Sequence, residues 1–292
     1  MDWQAIAAFI SEAVAEPVII TAAKAVGGGD INAAYNLDTN HGSYFVKLNQ
    51  AQLSAMFAAE SAGLKELAAS ATVTVPKPVT YGVSGQHAFL VLDYISLTRL
   101  TNPSARILGR QLALLHDIPQ PYFGWHQGNT IGSTPQVNDK NSNWVDFWQQ
   151  YRLGFQLHLA ANNGYSGKLQ SLGQKLLVQL PAFFVSYRVK PSLLHGDLWA
   201  GNAAADAAGN PVLYDPACYY GDREADLAMT ELFGGFNADF YSAYHETYPL
   251  DEGYKTRKTL YNLYHILNHL NLFGRSYQHQ AEQMMASLLA EL

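Results

Sequence analysis

The sequence contains little cysteine and little charge. Cys218 is the one cysteine in 292 residues, so neither an intramolecular disulfide nor a zinc cluster of several cysteines can form. Charged residues make up 14%, the formal net charge is −6, and no run of Lys or Arg exceeds a pair. Because a nucleic-acid-binding protein needs a basic surface to displace counterions from phosphates, nucleic acid is not an expected partner.

Long apolar runs are also missing. No segment approaches the roughly 20 uncharged apolar residues of a membrane span. The first residues carry Asp2, Glu12 and Glu16 instead of the basic start and apolar run of a signal peptide. We therefore expect a soluble, unprocessed cytoplasmic protein without a membrane partner. Its 48% hydrophobic content is enough for a large core.

The first third of the chain alternates short β-rich and helical segments. Strands are predicted at 18–26, 34–37, 44–48 and 88–94, and helices at 3–15 and 54–69. From Pro103 onward, the pattern predicts helices at 142–161, 166–187, 222–233, 236–247 and 253–290, interrupted by a strand-like stretch at 193–216. These patterns predict an α+β protein with a small antiparallel-sheet N-lobe, residues 1–95, and a large, mostly helical C-lobe, residues 96–292. A ligand is expected in the cleft between the lobes.

The strongest motif is LLHGDLWAGN at 193–202, followed by YDP at 214–216. Asp197 and Asn202 have the separation of the Asp and Asn of a kinase catalytic loop, and Asp215 follows a short predicted strand. Phosphoryl transfer needs one carboxylate to accept the proton of the attacking hydroxyl and hard oxygen ligands to hold Mg²⁺. We predict Asp197 as the catalytic base and Asn202 with Asp215 as the Mg²⁺ ligands, in a two-lobed protein-kinase-like fold. His195 is predicted to be structural, bonding the backbone near Asp215.

Lys47 and Glu60 are candidates for anchoring ATP. Lys47 lies in the predicted strand FVKL, as does the kinase lysine that contacts the α- and β-phosphates, and Glu60 in the following helix would pair with it. The alternatives are a solvated lysine at a sheet edge and an exposed helix acid.

Two backbone segments are further candidates for the ATP site. Gly27, Gly28 and Gly29 would let the backbone approach phosphates, although the sequence does not complete G-x-G-x-x-G and a plain turn is the alternative. Asp93, Tyr94 and Ile95 would present backbone groups to adenine, the alternative being a strand that leaves the core.

Several aromatic and imidazole side chains are predicted to belong to the core. His265 and His269 are four residues apart on a predicted helix, but without the glutamate of a metalloprotease motif they are predicted to be packed histidines. Tyr261, Tyr264 and Phe273 are likewise predicted to be core residues.

Longer motifs resemble the fructosamine kinase (ketosamine 3-kinase) family, which is related to aminoglycoside and choline kinases. The resemblance covers nearly the whole chain and is carried by GGGDINAAY at 27–35, LLHGDLWAGN at 193–202, YDPACYYGDREADLAMTELFGGF at 214–236 and LYNLYHILNHLNLFG at 260–274. It implies the roles given above to Lys47, Glu60, Asp197, Asn202 and Asp215. It also implies ATP-dependent phosphorylation of the 3-hydroxyl of a small or protein-bound ketosamine, followed by elimination that frees the amine.

An acceptor site can be predicted beside the base. Trp199 would stack on the sugar, and Asp222, Glu224 or Asp226 would attract the ammonium group, unless Trp199 only packs the loop and Asp226 only orients it. Two other functions remain open at this point. One is a kinase for an aminoglycoside or choline-like alcohol, and the other is a nucleotide-binding pseudokinase that serves as an interaction module.

Overall fold

The computed structural model describes residues 2–27 and 31–292. Its first part contains helix α1 and three strands, which are α1 (Trp3–Val14), β1 (Ile20–Val26), β2 (Ala33–Thr39) and β3 (Gly42–Gln50). The next elements are α2 (Ser54–Ala69), β4 (Pro78–Ser84), β5 (His87–Asp93) and α3 (Asn102–Asp117). The predicted hairpin at 34–37 and 44–48 is confirmed as β2 and β3, which pair in antiparallel register.

The remainder is mostly helical, with three short two-stranded sheets. In chain order the elements are β6 (Asn129–Ile131), β7 (Thr134–Gln136), α4 (Trp144–Trp148), α5 (Gly154–Asn162), α6 (Lys168–Gln179), β8 (Ser192–Leu194), β9 (Ala203–Ala205), β10 (Pro211–Leu213) and β11 (Tyr219–Gly221). Four helices complete the chain: α7 (Arg223–Leu232), α8 (Ala238–Thr247), α9 (Tyr254–Phe273) and α10 (Gln278–Ala290). A π-helical turn, Gln149–Leu153, joins α4 to α5.

The chain divides into two compact units. The sheet unit comprises Met1–Ser104 and Ala203–Pro216, and the helical unit comprises Ala105–Asn202 and Ala217–Leu292. The hairpin β9–β10, which leads to Asp215, therefore belongs to the sheet unit although its sequence lies far from the other strands.

The sheet of the first unit is covered on both faces. Its strand order is β1-β2-β3-β5-β4, with β3 in the middle. Ile6 and Ile10 of α1 pack with Val46 and Val91 on one face. Phe57 and Leu64 of α2 pack with Ala88, Leu90 and Leu92 on the other. The run 88–92 is continuously apolar because alternate side chains of β5 point to opposite faces and both faces are buried.

Helix α9 forms the centre of the helical unit. Most of its side chains are buried, among them the predicted core residues Tyr261 and Tyr264. The prediction for Phe273 is wrong, since its side chain is 52% exposed. The single predicted helix 253–290 is also wrong, because the chain turns at Gly274, whose φ of +95° favours glycine, and resumes as α10.

One further difference concerns a strand of the sheet. Strand β4 was not predicted, because Pro78 and Gly82 interrupt its pattern.

Across residues 2–27 and 31–292, none of the helices combines the length and apolar character that crossing a bilayer requires.

Burial of His265 makes stability depend on pH. Burial and the neighbouring His269 lower the pKa of His265 from 6.5 to about 3, although Asp226 acts in the opposite direction. Between these values the unfolded chain binds a proton at this histidine and the folded protein does not. The free energy of unfolding therefore falls as the pH falls below 6.5, by about 1.4 kcal/mol per pH unit.

We expect His265→Phe to reduce this acid sensitivity. Phenylalanine keeps a ring against Tyr264 but cannot be protonated. The free energy of unfolding is to be measured by denaturant titration at neutral pH and at about pH 5. Its decrease between the two pH values should be about 2 kcal/mol smaller in the variant than in the unaltered protein. His279→Gln, at an exposed position on α10, is the control variant. An unchanged acid loss in His265→Phe would contradict the assignment.

Candidate active site

Lys47 is bound by two carboxylates in the sheet unit. Its Nζ donates to Glu60 Oε1 at 2.6 Å and to Asp215 Oδ1 at 2.5 Å. The lysine is 5% exposed and lies on β3, the central strand, so the alternative of a solvated edge lysine is wrong. Glu60 is not an ordinary exposed helix acid either, since its side chain is 10% exposed.

The sheet register explains why this lysine meets Glu60. Val46 and Leu48 point toward the α1 face, so Lys47 between them points to the opposite face, which α2 covers. Burial alone would lower the pKa of Lys47, but the charges of Asp215 and Glu60 outweigh it and raise the pKa. The ammonium therefore stays charged at neutral pH.

Asp215 reaches the lysine from an unusual backbone conformation. It follows β10 and has a φ of +58°, in the left-handed region that a residue with a Cβ seldom occupies. Its side chain is 46% exposed, and Oδ1 is the oxygen that accepts from Lys47. A strained backbone that presents a half-exposed carboxylate is typical of functional sites.

The loop of residues 195–202 holds Asp197 and Asn202 together in the helical unit. Asn202 Nδ2 donates to the carbonyl oxygen of Asp197 at 2.9 Å and to its Oδ2 at 3.2 Å. The backbone N–H of Asn202 donates to the carbonyl of Trp199 at 2.9 Å. The predicted base and the predicted metal ligand are thus adjacent, with the amide nitrogen of Asn202 turned toward the base.

Asp226 anchors the start of this loop. Its Oδ2 accepts the N–H of His195 at 2.7 Å and its Oδ1 accepts the N–H of Gly196 at 2.8 Å. Gly196 has a φ of +83°, and a Cβ there would collide with the carbonyl oxygen of Ala217. The carbonyl of His195 accepts the N–H of Ala217, two residues after Asp215.

His116 contacts the carboxylate of Asp226 in the interior of the helical unit. The sequence did not predict this role. Nε2 of His116 lies 3.2 Å from Asp226 Oδ2 and its Nδ1 lies 2.9 Å from the hydroxyl of Tyr244. Burial lowers the pKa of His116 despite the opposing effect of Asp226, so the ring is neutral. A neutral ring protonated at Nε2 donates to Asp226 and accepts from Tyr244. Its sequence context, LLHDIP, carries no signal of this role.

Trp199 lies on the outside of the same loop. Its side chain is 38% exposed, and its ring lies over Gly201, where a Cβ would collide with it. Glycine at 201 therefore lets the indole fold back along the loop while its outer part stays accessible.

Asp222 and Glu224, the predicted ammonium contacts, are buried. Asp222 caps α7 and accepts from the hydroxyls of Tyr187 and Tyr261. Glu224 is 0% exposed and forms a two-point ion pair with Arg257, at 2.7 and 3.0 Å. Both carboxylates are used in packing the helical unit, and neither is accessible to the ammonium group of a substrate.

The remaining predicted nucleotide residues differ in what the structure describes. Gly27 is exposed, and among the described residues beyond its chain neighbours no atom lies within 4 Å of a Cβ built there, whereas Gly28 and Gly29 lie outside the described residues. Asp93 ends β5, and its Oδ1 and N–H bond the backbone of Lys77. Tyr94 and Ile95 follow in an irregular segment with Tyr94 exposed. Their contact with adenine stays a prediction.

The oxygen atoms left over from these contacts suit Mg²⁺. Because Nδ2 of Asn202 is bound to Asp197, Oδ1 is the atom of this side chain suited to a metal, and Asp215 still has Oδ2 beside the oxygen used by Lys47. Mg²⁺ is commonly held by one or two such ligands together with phosphates and water. In the described parts of the chain no cluster of three or more His, Cys, Asp or Glu side chains is arranged for a metal.

We expect Asp226→Asn to loosen the catalytic loop. The variant has one acceptor oxygen for two backbone N–H groups, and its own NH₂ would face a donor. Breaking such a buried network should lower the free energy of unfolding by about 3 kcal/mol, measurable by urea denaturation. Asp146→Asn, at an exposed position, is the matched control. Equal stability of the two variants would show that Asp226 does not anchor the loop.

Comparison with known proteins identifies relatives of similar length. The sequence model of the fructosamine kinase family matches residues 2–291. A probable ketoamine kinase of Synechocystis is 47% identical, with 98% of this chain and 97% of the relative aligned. A chloroplastic protein-ribulosamine 3-kinase of Arabidopsis thaliana is 40% identical, over 94% and 84% of the two chains.

Solved structures agree with the predicted protein-kinase-like fold. A putative fructosamine-3-kinase from Haemophilus somnus superposes with a TM-score of 0.90 at 30% identity, covering 98% of this chain and 97% of that one. An aminoglycoside phosphotransferase shares the fold alone, with a TM-score of 0.65 at 14% identity and 98% of each chain covered. The two-lobed α+β fold is thereby confirmed, and the chain belongs to the fructosamine kinase family.

Proposed function

We propose that this chain transfers the γ-phosphoryl group of ATP to the 3-hydroxyl of a ketosamine, with Asp197 as the base. The observation that carries this proposal is the pairing of Asp197 with Asn202 in a chain of the fructosamine kinase family. A pseudokinase would be expected to lack one of the phosphoryl-transfer residues, whereas Lys47, Asp197, Asn202 and Asp215 are all present.

The sheet unit would bind the nucleotide. Lys47 is charged, buried and held by Glu60, so its ammonium is positioned before ATP arrives. We assign it to the α- and β-phosphates, with Gly27, Gly28 and Gly29 beside the phosphates and Asp93, Tyr94 and Ile95 along adenine. A preorganised cation stabilises phosphate charge without reorganising during the reaction.

Asn202 and Asp215 are the residues that would hold Mg²⁺. Their available oxygens are the hard ligands this ion prefers, and when bound it would neutralise charge on the β- and γ-phosphates. Because Oδ1 of Asp215 accepts a hydrogen bond from Lys47, Oδ2 is the oxygen of this side chain that would bind Mg²⁺.

Asp197 would accept the proton of the substrate. As the 3-hydroxyl oxygen bonds to the γ-phosphorus and the bond to the β–γ bridging oxygen breaks, the hydroxyl proton passes to the Asp197 carboxylate and ADP leaves. Asn202 Nδ2 donates to Oδ2 of this carboxylate and keeps it oriented. The partly exposed Trp199 would stack on the sugar that presents the hydroxyl.

We expect Asp197→Asn to separate binding from turnover. The variant keeps the shape of the side chain but cannot accept the proton, so kcat should fall about a hundred- to ten-thousand-fold while ATP still binds. ATP consumption is to be measured with ribulosamine, erythrulosamine and fructosamine derivatives, an aminoglycoside and choline, and ATP binding by calorimetry. Asp117→Asn, at an exposed position, is the control.

Either of two results would contradict the proposal. Unchanged turnover in Asp197→Asn would remove Asp197 as the base. Turnover of the aminoglycoside or choline by the unaltered enzyme, with none of any ketosamine, would change the substrate class but keep the assignment of the catalytic residues.

A further inference from the structure

Five rings follow one another on the surface of the helical unit, and we call them the aromatic strip: Trp199, Phe233, His269, Phe273 and Tyr277. Their centroids are 6.4 Å apart from Trp199 to Phe233 and 4.8 Å from Phe233 to His269. His269 then lies 5.3 Å from Phe273 and 5.2 Å from Tyr277. Such spacings correspond to direct ring contact, so the strip is continuous.

The exposure of the strip is unusual for this unit. Among its described Phe, Tyr and Trp side chains, Trp199 at 38% and Phe273 at 52% are the two that are exposed, and both belong to the strip. The rings come from the catalytic loop, the end of α7, α9 and the turn before α10. An apolar surface assembled from three separate stretches of the chain indicates a binding function, because single exposed apolar residues need no such assembly.

The strip begins beside the proposed base. Trp199 is two residues after Asp197 on the loop that Asp226 anchors. If the sugar stacks on Trp199, the rings beyond it extend further than one sugar ring covers. The part of a ketosamine that extends past its sugar is the amine and its substituent.

The charge of the strip suits such a group. Burial lowers the pKa of His269 although its hydrogen bond to the carbonyl of His265 opposes this, so the ring is neutral at pH 7 and does not repel an ammonium. Aromatic faces attract ammonium groups and also contact apolar substituents. The carboxylates first expected to attract the ammonium, Asp222 and Glu224, are both buried.

We propose that the aromatic strip binds the amine part of the ketosamine and favours amines that carry an aromatic or extended apolar substituent. This inference rests on the proposed function and adds a specificity determinant to it. Trp199 contacts the sugar end, and Phe273 contacts the substituent.

Two ketosamines of the same sugar, one made from benzylamine and one from methylamine, test the proposal. The unaltered enzyme should have a higher kcat/KM for the benzylamine adduct. In Phe273→Ala the benzyl-to-methyl ratio of kcat/KM should fall about tenfold, mainly through KM, which is the size expected for one lost aromatic contact. Leu114→Ala has the same 52% exposure on α3 and should leave the ratio unchanged.

The outcomes separate this proposal from the function itself. Turnover of both adducts with no benzyl preference, or with the same ratio in Phe273→Ala, would overturn the strip assignment and leave the kinase proposal standing. No turnover of either adduct would overturn both. Sedimentation tests a second copy of the chain as the occupant. A dimer that Phe273→Ala dissociates without changing the ratio would also overturn the assignment.

Discussion

A charge removed from water must be paired, and this requirement organises the proposed catalytic residues in each unit. In the sheet unit the buried ammonium of Lys47 is held by Glu60 and Asp215, which ties α2 and the β9–β10 hairpin to the central strand. In the helical unit the buried carboxylate of Asp226 accepts two backbone N–H groups and thereby shapes the loop that carries Asp197. Folding and the proposed preorganisation for phosphoryl transfer thus rely on the same contacts.

Acidic and aromatic side chains have different tasks in the helical unit. Asp222 and Glu224 stabilise the packing around α7 and α9 through Tyr261 and Arg257. Both carboxylates are buried and already accept hydrogen bonds from the protein. In our proposal, a cationic ketosamine is recognised by a neutral surface instead, to which the exposed rings of Trp199 and Phe273 belong. Such a surface is compatible with varied amines, whereas a single carboxylate would select for charge alone.

The features of the fold that depend on local sequence patterns were predicted correctly. Helix α2, the β2–β3 hairpin and the catalytic loop follow from apolar spacing, turn residues and motif spacing. The sequence could not reveal the burial of Glu224 or the support of Asp226 by His116, because both depend on packing between helices distant in the chain. Phe273 was predicted to be buried as part of the aromatic stripe of the helix that carries Tyr261 and Tyr264. The turn at Gly274 ends the helix and leaves Phe273 exposed.

Determining which hydroxyl of the ketosamine is phosphorylated tests the proposed reaction most directly. A ketosamine phosphorylated on its 3-hydroxyl is expected to eliminate phosphate and free its amine without further enzyme. After the kinase is removed from a completed reaction, free amine and inorganic phosphate are to be followed by NMR. The account predicts that both appear together, in amounts that match the ADP already formed. A phosphorylated product that persists with its amine attached would place the phosphoryl group elsewhere and contradict the account.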